Sequence, residues 1–154
     1  MPQNFSREIA PGTLAQILGH ERLIKHLGYW PTFDDFEVAS VALSRAVVAA
    51  AACTLRVTFL VFDSKKKPDA PDRKQGSAEL LFEDVDALHI DGFNHQNPIL
   101  GLSIVQIEPI AEKVRFQVAW GGSAIKHDVS LICSAISVVQ VVDLNPFQKP
   151  SLIF

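Results

Sequence analysis

Two runs that alternate apolar and polar residues flank the pair Gly121-Gly122, and no other feature limits the fold as much. Val114, Phe116, Val118 and Trp120 alternate with Lys113, Arg115 and Gln117. Ile125, His127, Val129, Leu131 and Cys133 alternate with Lys126, Asp128 and Ser130. A period of two belongs to a strand with one buried face, and glycine supplies the positive φ of a hairpin turn. The pattern predicts an antiparallel hairpin with Val114, Phe116, Val118, Ile125, Val129 and Leu131 on one core face. Gly121-Gly122-Ser123 reads as its turn rather than as a nucleotide-binding loop.

The same period recurs along the chain. Cys53, Leu55, Val57, Phe59 and Val61 alternate with Thr54, Arg56 and Thr58. Leu60 and Phe62 break the polar side, which predicts cover on both faces at that end. Residues 36–43 form a first strand; Ala78, Leu80 and Phe82 mark another, as do Leu88 with Ile90 and Leu100, Leu102 with Ile104. Residues 136–144 are apolar on both sides and predict a central strand. Residues 63–76 are a charged, Pro-containing loop, and 46–52 is either a strand continuation or an apolar loop. Before the strands, 13–27 reads as helix, with Gly19 making two short helices or one bent one. Gly28 suits a C-cap, and Pro31 bars continuation. The order implies an α+β, mostly β fold, an antiparallel sheet or sheets with an N-terminal helical segment. A length of 154 residues suits a single domain, 1–154, with about 1–12 and 145–154 as tails.

Composition narrows the class. At 48% hydrophobic and 20% charged residues the chain is globular rather than disordered. The net charge is −3, and the basic cluster Lys65-Lys66-Lys67 lies beside Pro68, Asp69 and Asp72, so it reads as a solvated loop and not a nucleic-acid stripe. The first residues lack the apolar core of a signal peptide, and the apolar run 46–53 is too short to cross a bilayer. A cytoplasmic location without membrane attachment is expected. Cys53 and Cys133 fall on apolar strand faces and read as buried, reduced thiols.

Catalytic constellations are not found in the pattern. His20 and His26 are six apart, as are His89 and His95 with Asp91 between them; zinc ligands come in tighter pairs. Neither a metal nor a cofactor is expected. There is no Gly-x-Ser-x-Gly elbow, and no cysteine sits where its thiol would be activated. Asp34 and Asp35 are adjacent, so an extended backbone points them apart, and Asp favours turns. Tyr29-Trp30 beside Pro31 reads as a plug at the core edge. The segment Asn94-His95-Gln96-Asn97, between two strand-like runs, has two readings. Its side chains either bond backbone groups and hold a long connection still, or meet a partner as rim hydrogen-bonders. The first outweighs the second.

The stretch Gly28-Tyr29-Trp30-Pro31-Thr32-Phe33-Asp34-Asp35-Phe36-Glu37-Val38, then a strand ending Val61-Phe62, then Leu88-His89-Ile90-Asp91-Gly92-Phe93-Asn94-His95-Gln96-Asn97, resembles the Immunity protein 50 family. The likeness runs over about residues 27–142. These are bacterial proteins that neutralise partner toxins of polymorphic toxin systems. Where the family pattern reads Phe-His-Asp-Ala, this chain has Phe33-Asp34-Asp35-Phe36, so Asp35 matches and Asp34 takes the place of the His. The resemblance implies a non-enzymatic protein that binds a cognate protein toxin, with Trp30, Asp35, Asn94, His95, Gln96 and Asn97 as partner-binding or motif residues. The alternatives are a small-ligand or metal-dependent enzyme using Asp35, His89 and His95, and a homo-oligomer, such as a homodimer, in which Leu152-Ile153-Phe154 docks on a neighbour. Both stretches lie at junctions where backbone leaves the sheet and needs polar partners, so Trp30, Asp35, Asn94, His95 and Asn97 are expected to cluster.

Overall fold

The computed structural model describes residues 8–45, 53–122 and 125–144. The expectations for 46–52 and for the tail with Leu152-Ile153-Phe154 lie outside these. Two short helices come first, α1 (Pro11–Leu14) and α2 (His20–Leu27). The strands are β1 (Glu37–Arg45), β2 (Cys53–Phe62), β3 (Gln75–Glu83), β4 (Asp86–Asp91), β5 (Leu102–Ile110), β6 (Lys113–Trp120), β7 (Asp128–Cys133) and β8 (Ala135–Asp143). They form two four-stranded antiparallel sheets, β1-β2-β3-β8 and β4-β7-β6-β5. The fold is α+β and mostly β, as the alternation requires.

The two sheets share one ribbon. Glu83 pairs with Ala135 in the first sheet and Asp86 with Ile132 in the second, and the register passes between them without a slip. At the corner Ser134 N donates to Glu83 O, and Ser134 Oγ donates to Asp84 Oδ2. Thus β3–β4 and β7–β8 form one antiparallel ribbon that turns over at Asp84, φ 57°, and Ser134. This brings the inner faces together. Phe59 on β2 and Phe82 on β3 meet Trp120 on β6, ring centroids 5.6 and 5.9 Å apart. Leu55, Val57, Leu80, Phe116, Val118, Val129 and Leu131 complete the buried layer.

Lys113 pairs with Asp84, and with the Ser134 hydroxyl it holds that carboxyl below its usual range. A carboxylate lowered in the folded state stabilises it above the unfolded value, about 3.9, and that stability is lost as pH falls through the folded value. Lys113→Ala should therefore move the acid-unfolding midpoint, followed by circular dichroism, to higher pH. The shift is modest because both side chains are largely solvent-exposed. An unmoved midpoint would show that the corner does not need the pair.

Several expectations are corrected. Val114 is 37% and Ile125 39% exposed; Val114 is at the start of β6, and Ile125 lies in the connection before β7 begins. Ile90, on the edge strand β4, and Leu100, before β5 begins, are exposed as well. Of Leu60 and Phe62, only Phe62 is covered, against Phe36 and beneath the Arg73 guanidinium; Leu60 is exposed. Gly121 and Gly122 both have positive φ, but Trp120 pairs with Val129, so they open a longer connection than a tight hairpin. The tight turn is Ala111-Glu112, joining β5 to β6 with φ 52° and 61° and no glycine.

The strand at 136–144 is an edge strand, not a central one. It is apolar on both sides because the helical segment packs on it in addition to the core. Leu18 N donates to Ile136 O, Val138 N donates to Leu18 O, and Arg22 Nη1 donates to the carbonyls of Val138 and Val139. These contacts close an edge that would otherwise template another strand. Gly19 makes them feasible: with φ 74° it splits the helical segment in two, and a Cβ there would sit 2.4 Å from Val138 O. Gly28, φ 93°, caps α2 as expected.

Both cysteines are free, Cys133 buried and Cys53 half-buried. Burial pushes the Cys133 thiol up to about 12. Iodoacetamide at pH 8 should label Cys53 in the folded chain and Cys133 only after denaturation. Rapid native labelling of Cys133, mapped by mass spectrometry, would contradict its burial.

Candidate functional site

The two junction stretches lie side by side. After β4 the chain leaves the second sheet and runs along the start of β1. Val38 N donates to Asn97 O (2.9 Å), Ile99 N to Phe36 O (3.0 Å) and Asp35 N to Ile99 O (2.8 Å). Pro98 bridges antiparallel to Glu37, and Leu102 N donates to Thr32 O. The loop thereby joins an edge of each sheet.

Asn97, 2% exposed, spends its whole amide on this loop. Its Oδ1 accepts from Asn94 N (2.6 Å), and its Nδ2 donates to Asn94 O (2.8 Å) and Val38 O (3.2 Å). Asn94 Nδ2 donates in turn to Lys126 O (2.7 Å), on the connection between β6 and β7. Gly92 has φ 79°, and a Cβ there would lie 2.2 Å from Lys126 O, so this close approach requires glycine.

Below the loop is a buried histidine. His127 Nδ1 donates to Gly92 O (2.6 Å), and Nε2 accepts from Trp120 Nε1 (3.2 Å), which fixes the proton on Nδ1. The Phe93 ring stands edge-on to this imidazole, centroids 5.5 Å apart at 82°, and stays 52% exposed.

Carboxylate residues adjoin the loop in sequence or backbone pairing. Asp35 bonds Ile99 through its backbone, Glu37 bridges Pro98, Asp91 precedes Gly92, and Asp128 pairs with Asp91 across the β4–β7 ladder. Lys126 pairs with Asp91 at 2.8 Å and holds that carboxyl below its usual range. Asp128 Oδ1 accepts from Gly122 N, and Glu37 Oε1 from Asn97 N.

The model of the family Immunity protein 50 matches residues 19–143, which contain both stretches, α2 and all the strands named above. The chain belongs to the Immunity protein 50 family. No curated protein and no solved structure matches it.

In this Immunity protein 50 member the expected cluster is divided. Asp35 meets Ile99, two residues beyond the 94–97 segment, through its backbone N–H. Trp30 packs instead on Phe33, centroids 5.6 Å apart, and lines a groove with Ile9, Leu14 and Tyr29. No hydrogen bond or ring contact among the described residues links it to 94–97. Tyr29 beside it donates to Asp63 Oδ1 (2.8 Å), which ties the first stretch to the end of β2. Phe33 and Asp35 have φ 66° and 63°, unusual for non-glycine residues and most so for a bulky Phe. Phe33 is held there by burial among Trp30, Phe36 and Phe59. His95 and Gln96 are exposed, and their side chains make no hydrogen bond among the described residues.

For the enzyme reading, Asp35, His89 and His95 do not converge. His89 sits on β4 opposite Ser130, and no group of three potential metal ligands occurs among the described residues. No helix there is long and apolar enough to cross a membrane. His127 is the residue that sequence reasoning passed over. Its signal was present: a polar ring in the apolar phase of a strand pattern needs a buried partner.

Proposed function

We propose that this chain is a bacterial, cytoplasmic, non-enzymatic immunity protein of a polymorphic toxin system, which binds a cognate protein toxin and silences it by covering its surface. The observation that carries the reading is the family match over residues 19–143. The geometry supports it: the junction loop is hydrogen-bonded to β1 and to the β6–β7 connection, while no group of three potential metal ligands occurs among the described residues. The binding surface is the one built from the two junction stretches around Asp35 and residues 94–97, with Trp30 in the neighbouring groove.

Co-expression with the toxin encoded beside it tests this. Cells should survive, and the two proteins should co-purify with the toxin's intact mass unchanged. Death in the presence of well-expressed, folded protein would overturn the reading. A cleaved or covalently modified toxin would replace binding by enzymatic inactivation.

A further inference from the structure

We propose that the toxin is read by Phe93, His95 and Gln96, that Asn94 and Asn97 only hold their loop in shape, and that the surface they meet is a basic protein face with an apolar recess for the Phe93 ring. This rests on the immunity reading above. The hydrogen bonds divide the loop's residues into two sets. Asn97 has both ends of its amide committed inside the protein, and Asn94 Nδ2 is committed to Lys126 O. His95 and Gln96, between them in sequence, point no polar atom back into the fold among the described residues.

Among the described residues, Phe93 differs from the other exposed large apolar residues in being an aromatic ring that a buried imidazole backs. His127 holds it edge-on, and His127 is itself held by Gly92 O and Trp120 Nε1. A ring ordered before binding loses little entropy on docking, and an aromatic anchor ringed by polar groups is the usual centre of a protein interface. Charge selects the kind of partner. Asp35, Glu37, Asp91 and Asp128 adjoin the loop in sequence or backbone pairing, against Lys126, so a basic face is attracted and an acidic one repelled.

The test uses the full chain with the purified, catalytically dead cognate toxin, measuring affinity, association rate at two salt concentrations and thermal midpoint. Phe93→Ala should weaken binding about 30-fold or more, the loss typical of a truncated hot spot. His95→Ala/Gln96→Ala should weaken it several-fold with the parent's thermal midpoint, which separates contact from folding. Gln96→Lys, at an exposed position, should slow association, and the parent's association should slow as salt rises. Parent-like affinity in all three variants, while the parent still protects cells, would overturn this surface and leave the immunity reading standing. Tighter binding by Gln96→Lys would overturn the basic partner. Failure of the parent itself to protect would strike the immunity reading instead.

Discussion

Trp120→Ala is expected to destabilise the protein by about 3–5 kcal/mol, the usual cost of removing a buried aromatic ring. Trp120 is 0% exposed, and it is where the sheets meet: its indole contacts Phe59 and Phe82 across the interface. Truncation leaves a cavity lined by those two rings, which are fixed in their own strands and have little room to close it. It also removes the donor to His127 Nε2 and so loosens the support beneath Gly92 and Phe93. Against a total stability of about 5–15 kcal/mol, the loss takes a large share of the whole. Urea unfolding measures it. Trp120→Phe keeps most of the ring volume while losing the N–H, so its smaller cost reports the hydrogen bond, about 1 kcal/mol. A cycle with His127→Ala should show a coupling of about 0.5–3 kcal/mol. An unchanged midpoint for Trp120→Ala would mean that the sheets do not close on this residue.

The core faces of β2, β3, β6 and β7 could be read from sequence because a period of two states which side of a strand is buried. It does not state how far along the strand the opposing sheet reaches. Nor does it state where a strand begins: Leu100 and Ile125 are in phase but lie before β5 and β7, and Val114 and Ile90, near strand ends, are exposed as well. The corner at Asp84 and Ser134 was not legible: it carries no Gly or Pro, and its two halves lie far apart in sequence. Strand 136–144 was misplaced because the covering of its free edge by Leu18 and Arg22 looks, in composition, like membership of a sheet interior. At the site, the excess of amides in 94–97 correctly signalled a structured connection. Sequence alone treats its four side chains as one set. Only the hydrogen bonds divide the two whose amides are tied to backbone from the two whose side chains make no such bond among the described residues. A shared position at sheet junctions groups Trp30 with them, whereas its ring packs on Phe33 and lines the groove beside Tyr29.

Asn97→Ala should cost about 1–3 kcal/mol, while Asn94→Ala should cost less, about 0.5–1.5 kcal/mol, despite the chemical identity of the two residues. The difference follows from burial. Removing the Asn97 amide leaves Val38 O without its side-chain donor in a water-free position and releases Asn94 N and O, which hold the loop's shape. Removing the Asn94 amide frees only Lys126 O, at an exposed position where water replaces the lost donor. Asn97→Asp sharpens the test. It keeps the acceptor toward Asn94 N but turns a carboxylate oxygen toward two carbonyl oxygens. Its carboxyl pKa must then be raised in the folded state, so stability is closer to the parent's when the group is protonated and falls as pH rises through the folded value. The deficit relative to the parent should be larger at pH 7 than at pH 4. Thermal melts of parent and variants at both pH values decide it. If Asn97→Ala melted with the parent, or Asn97→Asp showed the same deficit at both pH values, the amide would not be what orders the loop. Phe93, His95 and Gln96 would then lose the fixed platform on which their role as contacts depends.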